Sequence, residues 1–247
     1  MAEGHGLLSV ERRGEVAVVT LRRPEKRNAL SIELRMEIAD AIGRLSDDND
    51  VGCVVLTGAG PAFCSGMDTD QFGGDLAHRR KLVETSTVAF EAVGGCRRPI
   101  VAAVNGPALA GGFALALLCD MRIAAPTAVF GYPELPRGIP PGYAAARAVL
   151  PATVAQDLCL TGRLVKADEA HRLGIVREVV RGNLGTRALE LGKRIAALPR
   201  KAVLETKRRT LLERRHLWGF LFEDERQVFR RALLGPEAEP DENGAAA

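Results

Sequence analysis

The sequence predicts an α/β fold on a parallel sheet covered on both faces. Three observations carry that reading. VAVVTL (Val16–Leu21), CVVLT (53–57) and IVAAV (Ile100–Val104) are unbroken apolar, β-branched runs, the pattern of strands buried on both sides. Helical patterns alternate with these runs, as crossover connections require. The composition, 47% hydrophobic and 26% charged over 247 residues, is that of an ordinary globular protein and excludes collagen, a coiled-coil rod or a disordered chain. A chain of this length buries enough surface to need no staples.

After the first strand, 22–30 reads as a polar loop around Pro24. Ser31 is placed to cap a helix in which Leu34, Ile38, Ala41, Ile42 and Leu45 recur at helical spacing. The second strand ends in Gly58-Ala59-Gly60-Pro61, and a helix is expected over 79–93. The third strand is followed by Asn105-Gly106-Pro107 and by Gly111–Leu118, a helix without a polar face and therefore a core helix. Met121–Ala124 and 129–130 read as short strands. Beyond Gly142 helix is expected to follow helix, with one over 168–173 closed by Gly174. The segment 235–247 has no apolar periodicity and predicts a disordered tail.

Residues 99–119 contain no charge and are long enough to span a bilayer. The Asn-Gly-Pro break at their middle predicts a buried strand, a turn and a buried helix instead. The first fifteen residues lack the apolar stretch of a secretory leader. The five cysteines form no C-x-x-C pair and read as buried thiols of a reducing compartment. A cytoplasmic protein is expected. The net charge of +3 demands neither nucleic acid nor an anionic membrane. Nine basic residues against two acidic ones over 193–215 read as a solvated helical face. The four histidines show no metal-ligand spacing, and no metal is expected. G-x-S-x-G and Walker A motifs are absent, and in Gly58-Ala59-Gly60, which follows a strand, Phe63 stands where G-x-G-x-x-G needs its last glycine.

Three segments carry a chemistry: AFCSGMD (62–68), VNGPALAGGFA (104–114) and FGYPELPRGIPPG (130–142). Together with RPEKRNALS (23–31), VVLTGAGPAFCSGMD (54–68), AAVNGPALAGG (102–112), CD (119–120), FGYPE (130–134) and GIV (174–176), the chain resembles the enoyl-CoA hydratase/isomerase, or crotonase, superfamily. These pieces stand in the family's order and cover nearly the whole chain. The resemblance implies a crotonase-type ββα spiral over 1–190, with a helical region over 191–234 that assembles a homo-trimer or a hexamer. It implies an acyl-CoA thioester as substrate, with coenzyme A part of that substrate and no separate cofactor. Its oxyanion hole maps onto the backbone N–H groups of Met67 and Gly111. The coenzyme A path maps onto Lys26, Arg27, Ala29, Ser65, Met67, Asp68 and Gly111, and the catalytic carboxylate onto Glu134.

The residues support that mapping. A thioester enolate needs its oxygen charge stabilised, and two fixed amide donors supply this. Gly111 opens a helix, so its N–H is an unused donor at the positive dipole end. Pro133, Pro136, Pro140 and Pro141 stiffen the loop that carries Glu134. Apolar neighbours there should raise its pKa.

Three departures stand out. The position at which many family hydratases place a second glutamate is Ala114, so Δ3,Δ2-enoyl-CoA isomerisation by a single base is expected ahead of hydration or a non-catalytic coenzyme A- or RNA-binding role. Asp68, Asp70 and Asp75 offer an acid from another direction, as in some relatives. The closing helix that reaches a neighbour's coenzyme A in the family is either missing or replaced by Lys207, Arg208 or Phe229. Tyr143-Ala144-Ala145-Ala146 stands where relatives are glycine-rich, which would narrow the acyl pocket.

Overall fold

The computed structural model describes residues 2–3 and 6–235. The strands are β1 (Ala2–Glu3), β2 (Leu8–Arg13), β3 (Val16–Leu21), β4 (Cys53–Gly58), β5 (Ile100–Val104), β6 (Ala108–Leu109), β7 (Met121–Ala124), β8 (Val129–Gly131), β9 (Leu164–Lys166) and β10 (Glu178–Val179). The helices are α1 (Ile32–Asp47), α2 (Leu76–Glu84), α3 (Val88–Gly95), α4 (Gly111–Leu118), α5 (Tyr143–Arg147), α6 (Ala152–Thr161), α7 (Ala167–Arg172), α8 (Leu184–Ala196) and α9 (Arg200–Leu234).

The main sheet runs β1-β2-β3-β4-β5-β7-β10. Its first three strands pair antiparallel and the rest parallel. Side chains alternate across it as the strand period requires. Ala17, Val19, Val54, Leu56, Ile100 and Ala102 enter the core shared with α1, α3 and α4. Val16, Cys53, Val55, Val101 and Ala103 form a second core with Ala188 and Leu191 of α8. The expectation of a parallel sheet covered on both faces therefore holds for its centre. A small second sheet, β6-β8-β9, lies beside it.

Register places the site. Leu21 pairs with Gly58 and Thr57 with Ala103, so the chain leaves β4 and β5 at the same end of the sheet. Those carboxyl ends are where ligands bind in open parallel sheets. Two asparagines fix the crevice. Asn28 Nδ2 donates to the Ala59 and Ala62 carbonyls at 2.9 and 2.8 Å. Asn105 accepts from Gly58 N–H at 3.2 Å and donates to the Gly60 carbonyl at 2.9 Å.

Local expectations met mixed outcomes. Ser31 Oγ accepts from Leu34 N–H at 3.2 Å and caps α1. The residues of α4 from Gly112 to Leu118 are all buried, and the five cysteines are free and buried. Gly174 follows α7 in the left-handed conformation. The expected helix over 79–93 is two helices. Thr85 and Ser86 bond back to the Lys81 and Val83 carbonyls at the break, the competition by which hydroxyl side chains interrupt helices. The sequence does not mark β1, β2, β6, β9 or β10: β1, β6 and β10 are two residues long, and the polar, partly exposed residues of β2 and β9 hide the strand period. The C-terminal helices are one 35-residue α9, and α8 runs through position 191. No helix among the described residues is long and apolar enough to cross a membrane. Of the expected tail only Gly235 is described; 236–247 lie outside the described residues.

The basic segment is not simply a solvated face. Lys207 is buried, with Nζ 2.6 and 2.7 Å from the two oxygens of Asp120. Arg214, also buried, donates to the Gly94 and Leu118 carbonyls. Neither is free to reach a neighbouring subunit, and Arg208 pairs with Glu205 on its own helix.

Candidate active site

Two main-chain N–H groups come together where the β4 and β5 loops meet. Leu30 N–H donates to the Gly66 carbonyl and Asp68 N–H to the Leu30 carbonyl. Met67, between these bonds, therefore faces its own amide away from Leu30. Gly66 has φ +101°, and a Cβ on it would lie 2.8 Å from Ala110 Cβ and 3.3 Å from Gly111 N. The Gly66-Met67 turn and the start of α4 thus touch. A Cβ on Gly112 would stand 2.1 Å from the Cys64 carbonyl oxygen, so no side chain fits there. Ala110 sits at φ +51°, ψ −127°, a conformation L-residues avoid. That twist sets the direction of the Gly111 N–H, and an alanine at this position does not signal it in the sequence. Neither the Met67 nor the Gly111 N–H has a hydrogen-bond acceptor among the described residues, and both residues line one cavity.

Glu134 lines the same cavity. It follows Tyr132, a fully buried ring that packs on Phe113 (5.2 Å between centroids) and whose hydroxyl donates to the Gly142 carbonyl. Leu135-Pro136-Arg137 then forms a single 3-10 turn ending at Gly138. Oε2 of Glu134 is buried with no hydrogen-bond partner. Burial pushes the carboxyl up from 4.5 to about 7, against the opposing pull of its own N–H and of Arg137. A group poised there exchanges protons at neutral pH.

The cavity holds about 250 Å³. Phe72, Phe90, Leu118, Ile139, Phe222 and Phe229 supply apolar wall, as suits an acyl chain. Ser65, Met67, Gly111, Ala114 and Glu134 of the expected site meet on it. Ala145 reaches it too, so the Tyr143–Arg147 helix does border the pocket. Lys26, Arg27 and Ala29 stand outside it, on the segment paired with its rim through Ser65 N–H to the Arg27 carbonyl. Lys26 pairs with Asp70 at 2.7 Å. Asp68 does not line the cavity; it is buried in an ion pair with Arg23 at 2.8 Å. Asp75 caps α2 through His78 N–H. None of the three aspartates supplies an acid to the cavity wall.

One carboxylate escaped the sequence reading. Glu225 of α9 lines the cavity, its Oε1 accepting the Ala144 N–H at 2.6 Å. Burial pushes it up to about 7, with the Ala144 and Tyr143 N–H groups opposing and Asp224 adding to the rise. Its signal was the Phe222-x-x-Glu225-x-x-x-Phe229 spacing, an acid within an apolar helix stripe. Phe229 packs on Phe72 and Phe222 on Phe90 of the same chain.

Comparison with known proteins agrees with this architecture. The sequence profile of the family described as enoyl-CoA hydratase/isomerase matches residues 11–216. The chain belongs to the enoyl-CoA hydratase/isomerase family. Enoyl-CoA hydratase EchA19 of Mycobacterium tuberculosis is 40% identical over 212 residues, 81% of this chain and 80% of its own. An enoyl-CoA hydratase/isomerase from Mycobacterium paratuberculosis superposes with a TM-score of 0.86 at 26% identity, covering 94% of this chain and 95% of that one. One from Xanthobacter autotrophicus Py2 gives 0.84 at 33% identity, covering 94% and 88%. As an enoyl-CoA hydratase/isomerase family member with a crotonase fold, the chain is an acyl-CoA enzyme.

Proposed function

We propose that this enzyme converts 3-enoyl-CoA thioesters to the conjugated 2-enoyl form, with Glu134 as the single base. The observation that carries the reading is Glu134, with its buried and unpartnered Oε2, on the wall of the cavity that Met67 and Gly111 also line. The thioester oxygen accepts from both amides. Ionised Glu134 takes a proton from the α-carbon, and the electron pair delocalises over a dienolate whose oxygen the amides hold. The same carboxyl returns the proton at the γ-carbon. Each such amide typically contributes about 2.7–4 kcal/mol to the transition state. Ala114 on the cavity wall brings no acid from α4.

In this reading coenzyme A carries the substrate and no separate cofactor takes part. It runs along the rim made by Ser65 and Met67 and the adjoining segment of Lys26, Arg27 and Ala29, which Asp68 supports from behind through Arg23. Assembly into a trimer or a dimer of trimers is part of the proposal, and solution mass measures it. Glu134→Gln should lower 3-enoyl-CoA turnover by about 10²–10⁴-fold, the usual worth of a general base. An unchanged rate removes Glu134 from the mechanism.

A further inference from the structure

α9 turns one stripe toward the cavity. Phe222, Glu225, Arg226 and Phe229 all line it, at the i, i+3, i+4, i+7 spacing of a single helix face. A carboxylate on that face, next to two aromatic anchors, occupies a position where a hydrophobe would be cheaper. Capping α5 explains only part of it. One oxygen accepts the Ala144 N–H, and a glutamine amide oxygen would do the same.

We propose that Glu225 is a second catalytic carboxylate, presented by α9, that activates water for addition to the β-carbon of a 2-enoyl thioester. The site thereby gains a hydration activity although α4 carries Ala114. This rests on the reading of Glu134 and the amide pair given above. The Ala144 N–H fixes Glu225 while its carboxylate takes a proton from water. The water oxygen bonds to the β-carbon, and the π electrons move to the thioester oxygen, held by Met67 and Gly111. Protonated Glu134 then delivers its proton to the α-carbon and the carbonyl re-forms. Water is added across the double bond. The proton gained by Glu225 and the one lost by Glu134 exchange through solvent.

The test compares two rates in the full-length enzyme. One is hydration of a 2-enoyl-CoA, followed by loss of the conjugated thioester's ultraviolet absorbance. The other is exchange of the α-hydrogens of a saturated acyl-CoA in deuterium oxide, which needs only Glu134 and the amides. The wild type should hydrate, and Glu225→Gln, which keeps the acceptor for Ala144, should lower the ratio of hydration to exchange by about 100-fold or more. The proposal is overturned if the wild type does not hydrate. It is equally overturned if the ratio is unchanged, whether both rates fall together, as loss of a cap would cause, or neither falls. Exchange surviving in Glu134→Gln would instead sink the Glu134 reading, a separate outcome.

Discussion

Replacing Glu134 with glutamine should stabilise the enzyme, and by more at pH 8 than at pH 5. Burial raises the Glu134 pKa from 4.5 to about 7, so the folded state holds this proton more tightly than the unfolded chain. By linkage, stability is full below pH 4.5 and falls as the pH rises through 7. At about 1.36 kcal/mol per pKa unit, the loss is about 3 kcal/mol once the pH is above 7. Less than 1 kcal/mol of it, roughly, has accrued by pH 5. Glutamine does not titrate, and it leaves the Glu225 contribution equal in both proteins. For a chain of this size, about 2–4 °C accompanies each kcal/mol. The melting-temperature gain of Glu134→Gln over wild type should therefore widen by roughly 5–10 °C between pH 5 and pH 8. Calorimetric scans at the two pH values measure it. An equal gain at both, or a gain that shrinks as pH rises, would mean that Glu134 is not held against its own ionisation.

Other variants probe the remaining parts. The proposed isomerisation needs Glu134 ionised, so its kcat/KM should climb with pH and level off just above 7; a profile flat down to pH 5 contradicts the raised pKa. Asp68→Asn breaks the buried pair with Arg23, a change that costs about 3–5 kcal/mol when a charge is left alone. It should register as a lower Tm, whereas a higher KM at unchanged Tm would put Asp68 against the ligand. Gly112→Ala drives a Cβ to within 2.1 Å of the Cys64 carbonyl, so the variant should melt far lower or fail to fold, and a normal melt would contradict that packing. Lys207→Met leaves Asp120 with only the longer Arg214 contact at 3.6 Å and the Ile100 N–H; its Tm should drop, by about 2–4 °C for each kcal/mol lost, and an unchanged Tm would contradict a stabilising role for the pair.

The legible parts of the chain were those whose burial is complete. β3, β4, β5 and α4 are buried along most of their length, so their residues are almost all apolar and no outside knowledge is needed to place them. β2 is an edge-side strand, and LSVERR shows the strand period only in a partner's presence. The break between α2 and α3 depends on two hydroxyls whose choice of acceptor is local and weak. Within the site, the residues that came together, Ser65, Met67, Gly111, Ala114 and Glu134, sit on motifs fixed to the ends of buried strands. The family resemblance maps Asp68 onto the ligand path beside Met67, yet consecutive residues in an extended turn face opposite ways, and its carboxylate turns to Arg23. Glu225, Lys207 and Arg214 were hidden by another cause. They belong to a charged helix whose inward face is set by what it packs against, and α2, α5 and Asp120 lie far away in sequence.

Under the proposed mechanism the same apolar cavity must meet two opposed electrostatic demands. A negative charge has to become cheap on the thioester oxygen and has to stay expensive on the base that takes the proton. Low polarity alone makes both charges costly, so polarity cannot separate them. The supply of hydrogen bonds can. Two main-chain donors without an acceptor among the described residues, Met67 N–H and Gly111 N–H, belong to residues on the cavity wall, held by the Leu30–Met67 bridge and by the twist at Ala110. Glu134 Oε2 has no donor, and the charge of exposed Arg137 opposes burial without overcoming it. In that mechanism, moving the proton from carbon to Glu134 exchanges a carboxylate whose buried oxygen has no partner for an enolate with two donors. Placing a donor on Glu134 Oε2 would lower its pKa and slow α-proton removal even with both amides intact.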